Sequence, residues 1–387
     1  MIISHIKLKN WRNFRKVDID LTERVFMVGP NASGKSNFLD VFKFLRDIAK
    51  PQGGGLQQAV KDRGGVSKIR CLAARQESEI EIEVHLAEAH LKPSIWIYAI
   101  SLKQEPRGAR KPYIAYEKVW HKDKLILNRP DEKDEKDEER KTETHLEQIN
   151  ANQEFREINK FFNSVFYLHL IPQLLRHPES FSGPALPGDP FGRNFMEKVA
   201  NTQERTRKAR LKKIEEALKI AVPQFSQLNY IKDSTGVPHF EVRYENWRAK
   251  GAKQREDQFS DGTLRLIGLL WSLLESDTLL LLEEPEMSLN SGIVNKLPGI
   301  FHRMQKQKKR QIIISTHSDD LLSGGSIGGE EILLLKPIGE GTKIEVASSI
   351  TDIKKLLETG LSMVEAIKPH TQPQNIEQLQ FQFTNET

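Results

Sequence analysis

The sequence predicts an α/β fold with a mixed central sheet, an antiparallel β-layer and a helical lobe inserted in the middle of the chain. Three observations lead there. An apolar run, Val25-Phe26-Met27-Val28, enters a glycine-bounded loop, Gly29–Ser36, and leaves in the helix-like stretch Asn37–Leu45. Two further apolar runs, Leu279–Leu282 and Ile312–Ile314, each end in a polar turn, the pattern of parallel strands buried on both faces. Glu79-Ile80-Glu81-Ile82-Glu83-Val84-His85-Leu86 alternates acid with apolar side chains, which marks a half-exposed antiparallel strand.

The loop reads G-x-x-x-x-G-K-[ST] in its required strand–loop–helix setting. Gly29 and Gly34 let backbone N–H groups converge on phosphate oxygens. Lys35 can reach the outer phosphates and Ser36 can ligate Mg²⁺. The helix start beneath them adds a partial positive charge. Asn31, Gly34, Lys35, Ser36 and Asn37 are therefore the candidate nucleotide contacts. The competing reading is a glycine-rich surface turn.

Phe259-Ser260-Asp261-Gly262-Thr263-Leu264-Arg265 precedes a helical apolar pattern. Ser260 and Gly262 stand where a helix N-terminus can grip an anion, or form an ordinary cap. Leu279–Leu282 ends in Glu283-Glu284-Pro285, with the acids at the carboxyl end of the strand, where open α/β sheets place ligands. Glu283 is the candidate Mg²⁺ ligand and Glu284 the candidate general base. His317, ending the next strand, can bond a γ-phosphate or the attacking water, or simply cap the helix after it. Val165–Ile171 ends at Pro172-Gln173, and Gln173 is a candidate Mg²⁺ or water contact against an ordinary polar turn.

Bulk properties set limits. The chain has 387 residues, a net charge of +5, a pI near 9.0 and one cysteine. One cysteine rules out an internal disulfide and a cysteine-based zinc cluster; Cys71 is expected to be a buried apolar residue. No apolar run approaches a membrane span, and Met1–Lys9 alternates like a strand rather than a signal peptide, so cytoplasm is the expected location and no membrane partner is expected. The basic balance permits nucleic-acid binding without demonstrating it.

The expected division is an N-terminal lobe over 1–145, a mostly helical lobe over 146–250, and a C-terminal lobe over 251–387. The first carries the loop and β-runs such as Ile95–Ile100 and Lys124–Leu127. Gly53–Gly55 and Gly64-Gly65 predict a mobile loop. Asp131–Arg140 is a mixed charge run, expected on a solvated surface. Ser182–Pro190 holds enough breakers to be a loop. Arg205–Lys213 is basic on a predicted helix, either a DNA-tracking face or a solvated one. Near the end come two strands, Glu331–Leu335 and Lys343–Ala347, a helix, Ile353–Leu357, and a frayed tail from Pro369.

These motifs in this order resemble the ATP-binding-cassette (ABC) type of ATPase, on the SMC–RecF–OLD branch, with RecF-like and OLD-like defence ATPases nearest. Gly29–Ser36 matches Walker A, Phe259–Thr263 resembles the signature motif, and Leu279–Glu284 matches Walker B. Ser288-Leu289-Asn290 resembles the D-loop and His317 the switch histidine. Ile6–Phe14 is similar to the branch's opening strand and turn. Two departures stand out: Glu283 replaces the usual aspartate, and the Q-loop glutamine rests on Gln173 alone.

The resemblance implies a P-loop ABC-type head that binds ATP and Mg²⁺, hydrolyses ATP, and dimerises with Ser260 and Gly262 of one copy completing the site of the other. OLD proteins carry a Toprim nuclease after the ATPase. No paired-acid site for one is evident here, which implies a separate effector, with a Toprim-type nuclease as one candidate and bacterial anti-phage defence as the setting. DNA is a further candidate ligand. The rivals are a RecF-like DNA-repair ATPase acting directly on DNA and a non-hydrolysing scaffold cemented by ATP; a transporter ATPase is a distant third.

Overall fold

The computed structural model describes all residues except 75–76, 78, 106–109, 181–187, 246–251, 276–277 and 373–387. The chain opens with β1 (Ile2–Trp11), β2 (Phe14–Asp20) and β3 (Arg24–Val28). Next come β4 (Ile80–Ala87), β5 (Trp96–Gln104), β6 (Pro112–His121) and β7 (Lys124–Arg129). The middle holds β8 (Phe166–Leu168), β9 (Phe225–Lys232), β10 (Pro238–Tyr244) and β11 (Ala252–Arg255). The last strands are β12 (Leu280–Glu283), β13 (Ile312–Ser315), β14 (Ile332–Ile338) and β15 (Gly341–Val346).

They form three sheets. The central sheet runs β15-β14-β3-β13-β12-β8, parallel except for the antiparallel edge β15. The β-layer runs β2-β1-β4-β5-β6-β7 and is antiparallel throughout. A small antiparallel sheet, β11-β10-β9, stands apart from both.

Side-chain alternation divides the central strands between two cores. Val25, Met27, Leu281 and Ile313 pack with the β-layer and the helix Lys35–Ala49, whose Phe38, Phe42 and Leu45 face it. Phe26, Val28, Leu280, Leu282, Ile312 and Ile314 pack with the helices Asp261–Glu275 and Leu297–Lys308 on the other side. Continuous apolar runs are what burial on both faces requires. In β4 the alternation works differently: Ile80, Ile82, Val84 and Leu86 are buried while Glu81 and Glu83 are half-exposed. The side chain of Gln311 ties the two large sheets together. Its amide nitrogen donates to the carbonyls of Ile3 (2.8 Å) and Thr22 (2.7 Å), and its oxygen accepts from the Ile3 N–H (2.9 Å).

Several details depart from the sequence reading. The Asp131–Arg140 run is not wholly solvated: Asp131 caps the helix Glu132–Lys136, and Asp134 is fully buried on Arg129. The glycine-rich region after residue 52 is partly helical, over Leu56–Lys61, and Gln57 donates to the carbonyls of Pro112 and Thr142. The segment 146–250 holds the helices Arg156–Asn163, Phe195–Asn201 and Glu204–Ala221, and in addition β8, which joins the central sheet, and the β9–β10 hairpin. Within the basic stretch, Arg207 lies over the ring of Tyr230 and Arg210 over Trp271, so those two cations face inward. Pro369 lies inside the helix Met363–Thr371. Most of the Ser182–Pro190 loop and the tail beyond residue 372 fall outside the described residues. Cys71 is buried, as expected.

Candidate active site

Three neighbouring parallel strands, β3, β13 and β12, deliver their carboxyl ends to one place. Asn31, Gly34, Lys35, Ser36, Asn37, Glu283, Glu284 and His317, with Ala32 and Ser315, line a cavity there of about 460 Å³. That volume lies in the range of small-ligand sites. A cavity of about 470 Å³ adjoins His5 and His85, and two clearly larger ones, of about 680 and 690 Å³, lie across the outer face of the β-layer and beside the helix Lys35–Ala49. The larger two are lined largely by cations already paired with acids, such as Lys7 with Glu83 and Arg63 with Asp40. Size alone therefore does not pick out the candidate site; the loop and the paired glutamates mark it.

The loop is braced from the first β-turn of the chain. Gly34 has φ 98°, a left-handed conformation, and a Cβ there would overlap the Asn13 amide. Asn13 donates to the Ser33 carbonyl (3.0 Å) and the Thr342 hydroxyl (2.7 Å), and accepts from the Asn37 amide (2.9 Å). Gly29 backs onto the Leu335 carbonyl with no room for a side chain. Lys35 is 6% exposed and donates to the carbonyls of Gly29 (2.9 Å) and Pro30 (3.2 Å). Burial pushes its pKa down to about 8, against the opposing pull of Glu284, Glu283 and Glu286.

The two candidate metal ligands meet directly. The Ser36 hydroxyl donates to one carboxylate oxygen of Glu283, and the Tyr167 hydroxyl donates to the other. A hydroxyl and a carboxylate are the oxygen donors that Mg²⁺ takes alongside phosphates. Among the described residues no group of three or more His, Cys, Asp or Glu is arranged to hold a metal. One or two protein oxygens plus phosphates is the usual Mg²⁺ arrangement, so the residues present fit Mg-ATP.

Glu284 turns back at φ 45°, with its N–H on the Ser315 carbonyl (3.0 Å). A left-handed glutamate is strained, and such strain concentrates at functional sites. Its carboxylate lies 3.4 Å from Nε2 of His317. The His317 pKa is lowered, first by burial and then by the Lys35 charge. Behind the pair, buried Glu286 accepts from the Thr316 hydroxyl, and burial raises its pKa.

Gln173, Ser260 and Gly262 do not line this cavity. The Gln173 amide is bonded to Asp261 (2.9 Å), which also takes Arg176 (2.6 Å). The structure therefore sets Gln173 against the start of the helix Asp261–Glu275 rather than beside Ser36. Ser260 is exposed and caps that helix through the Thr263 N–H (3.1 Å). Gly262 backs onto the Ser288 carbonyl, in the segment resembling the D-loop. The sequence reading passed over Asn13, Tyr167, Glu286 and Arg265, which donates to the Glu284 carbonyl (3.3 Å).

Comparison with known proteins agrees with this geometry. Residues 24–323, well over half of the chain, match the family described as "AAA domain, putative AbiEii toxin, Type IV TA system". The chain is 31% identical over 87 residues to the DNA replication and repair protein RecF of Agathobacter rectalis, covering 22% of this chain and 24% of that protein. It is 28% identical over 92 residues to RecF of Roseiflexus castenholzii, covering 22% of this chain and 23% of that one. The matches thus span about a quarter of those relatives. A crystal structure of the SmcHead bound to the C-winged helix domain of ScpA superposes with a TM-score of 0.56 at 14% identity, over 89% of this chain and 98% of that one, which establishes a shared fold. No helix among the described residues is long and apolar enough to cross a membrane. The chain belongs to this AAA-domain, AbiEii-like family and shares the fold of an SMC head.

Proposed function

We propose that two copies of this chain close around Mg-ATP, hydrolyse it slowly, and thereby control a separate effector protein in defence against phage. One observation carries the reading: Lys35, Ser36, Glu283, Glu284 and His317, drawn from three strands, converge on one cavity.

Mg²⁺, held by Ser36 and Glu283, would supply charge neutralisation on the phosphates. Lys35 and the loop N–H groups bind the triphosphate. Glu284 takes a proton from the attacking water. His317, kept neutral by burial, offers a ring N–H to the γ-phosphate. Ser260 is exposed and Gly262 half-buried at a helix start outside their own cavity, which supports donation to a partner copy. Phosphates gripped from both sides make nucleotide part of the interface, and its hydrolysis releases the clamp. Support for the defence setting comes from the toxin–antitoxin description of the family. A Toprim-type nuclease is one candidate effector.

The RecF relatives favour a second reading, an ATPase acting directly on DNA. A steep fall of DNA affinity with salt would support it. Glu283 in place of aspartate leaves room for a third, a scaffold that holds ATP without hydrolysing it.

The test pairs nucleotide binding, hydrolysis and chromatographic size. Lys35→Ala loses ATP affinity. Glu284→Gln keeps affinity, loses hydrolysis by about a hundredfold or more, and accumulates as a dimer with ATP. Ser260→Arg prevents that dimer. Full ATP affinity in Lys35→Ala, or ATP-dependent pairing in Ser260→Arg, overturns the reading; hydrolysis unchanged in Glu284→Gln replaces it with the scaffold.

A further inference from the structure

The edge strand β8 is three residues long, yet it and the residue just after it supply two separate grips on Glu283. Tyr167 lies opposite Leu281 in the register of β8 with β12, and its hydroxyl reaches along the strand to donate to Oε2 of Glu283. Just past the strand, Nδ1 of His169 donates to the Glu283 main-chain carbonyl (3.2 Å). Oε1 is left to Ser36. The phenol is itself fixed: Tyr167 is 6% exposed, and the Lys43 ammonium lies 4.1 Å from the centre of its ring. A cation over the ring face is attracted to it and holds its orientation.

The geometry points to Tyr167 as a positioning residue for the metal-binding carboxylate, and to the Tyr167–Glu283 pair as this chain's substitute for a shorter acid. This rests on the Mg-ATP reading above. An aspartate at 283 would end about 1.5 Å short, one carbon–carbon bond, and would leave the phenol without its acceptor. A glutamate without the phenol would have an extra rotatable bond and no fixed direction, at a cost in rotamer freedom on ordering. With the phenol in place, one carboxylate oxygen is engaged and the other faces Ser36. Lys43 comes from the same helix as Lys35 and Ser36, so the helix that carries the loop also orients the tyrosine.

The experiment uses the full chain and measures ATP affinity by calorimetry, once with excess Mg²⁺ and once with EDTA. Tyr167→Phe keeps the ring under Lys43 and removes the hydroxyl alone. Its affinity in EDTA stays at the parent value, while the gain on adding Mg²⁺ shrinks about tenfold, the effect of one hydrogen bond to a charged group. Glu283→Asp loses the gain similarly, and the double variant Tyr167→Phe/Glu283→Asp loses no more than Glu283→Asp alone. A Mg²⁺ gain unchanged in Tyr167→Phe overturns the assignment, as do losses that multiply in the double variant. A general packing defect would show as weaker binding in EDTA as well and would equally overturn it. A parent chain that binds no ATP under either condition would instead remove the reading on which this rests.

Discussion

Arg129 and Asp134 meet through two parallel hydrogen bonds, each 2.9 Å long, with neither side chain open to water. The same guanidinium donates to Glu117 (3.0 Å), which is also fully buried and also accepts from Tyr98 (3.1 Å). Arg129→Met would strand two buried carboxylates. The expected loss is about 3–5 kcal/mol, read by urea denaturation. A loss below about 0.5 kcal/mol, the ordinary effect of a surface change, would show that the network is not structural.

His145 stands beside this cluster, and burial, then the Arg129 charge, lowers its pKa to about 4. The folded state therefore holds the ring neutral where the unfolded chain, titrating near 6.5, protonates it. The unfolded state binds more protons between those values, so stability falls as pH drops from 6.5 towards 4. His145→Gln should remove about 1–2 kcal/mol of that fall, after discounting for partial solvent access. Thermal melts of the two proteins should lie closest near pH 7 and shift relative to one another towards pH 4, where the parent loses stability that the variant keeps. Parallel melting curves would sink the assignment.

Gly34→Ala combines two faults, a positive φ and an overlap with Asn13. We expect a stability loss of about 1–2 kcal/mol and loss of ATP binding. Adding Asn13→Ala removes the overlap but leaves the backbone strain and takes away the three hydrogen bonds by which Asn13 braces the loop, so the double variant stays well below the parent in stability. Full recovery in differential scanning calorimetry would mean that the overlap alone matters.

The basic helix Glu204–Ala221 presents two kinds of cation. Arg207 bonds the carbonyls of Ala200 and Thr202, and Arg210 that of Glu275, while both lie over aromatic rings. Arg205, Lys208 and Lys212 are exposed. Alanine at either inward arginine should cost about 1 kcal/mol, and alanine at all three outward residues less than about 0.5 kcal/mol. If DNA lies on this face, the triple variant alone lowers affinity and flattens its salt dependence. Equal effects on stability from both sets would contradict the division.

What was legible in the sequence is what local order determines. Gly29–Ser36, Glu283-Glu284 and His317 each end an apolar run, and such runs announce buried strands. The residues that brace them were not legible. Tyr167 lies 116 positions from Glu283 and looks like any aromatic core residue until β8 is laid beside β12. Asn13 acts on a loop twenty residues away through a turn that the chain must fold back to form. The β9–β10 hairpin escaped notice because β9 buries only Phe225 and Leu228, so no clean alternation appears. Asp134 was read as solvated because its run of charges carries no sign of which member turns inward; the answer lies five residues upstream, in Arg129.

The order β15-β14-β3-β13-β12-β8 has a bearing on how the molecule is made. β3, which launches the phosphate loop, has β13 on one side and β14 on the other, both synthesised nearly three hundred residues later. A ribosome releases this strand with neither neighbour in existence. Until residues 312–338 have been made its two edges stay open to mispairing, so a product truncated before residue 312 should be chaperone-bound or insoluble rather than a folded half.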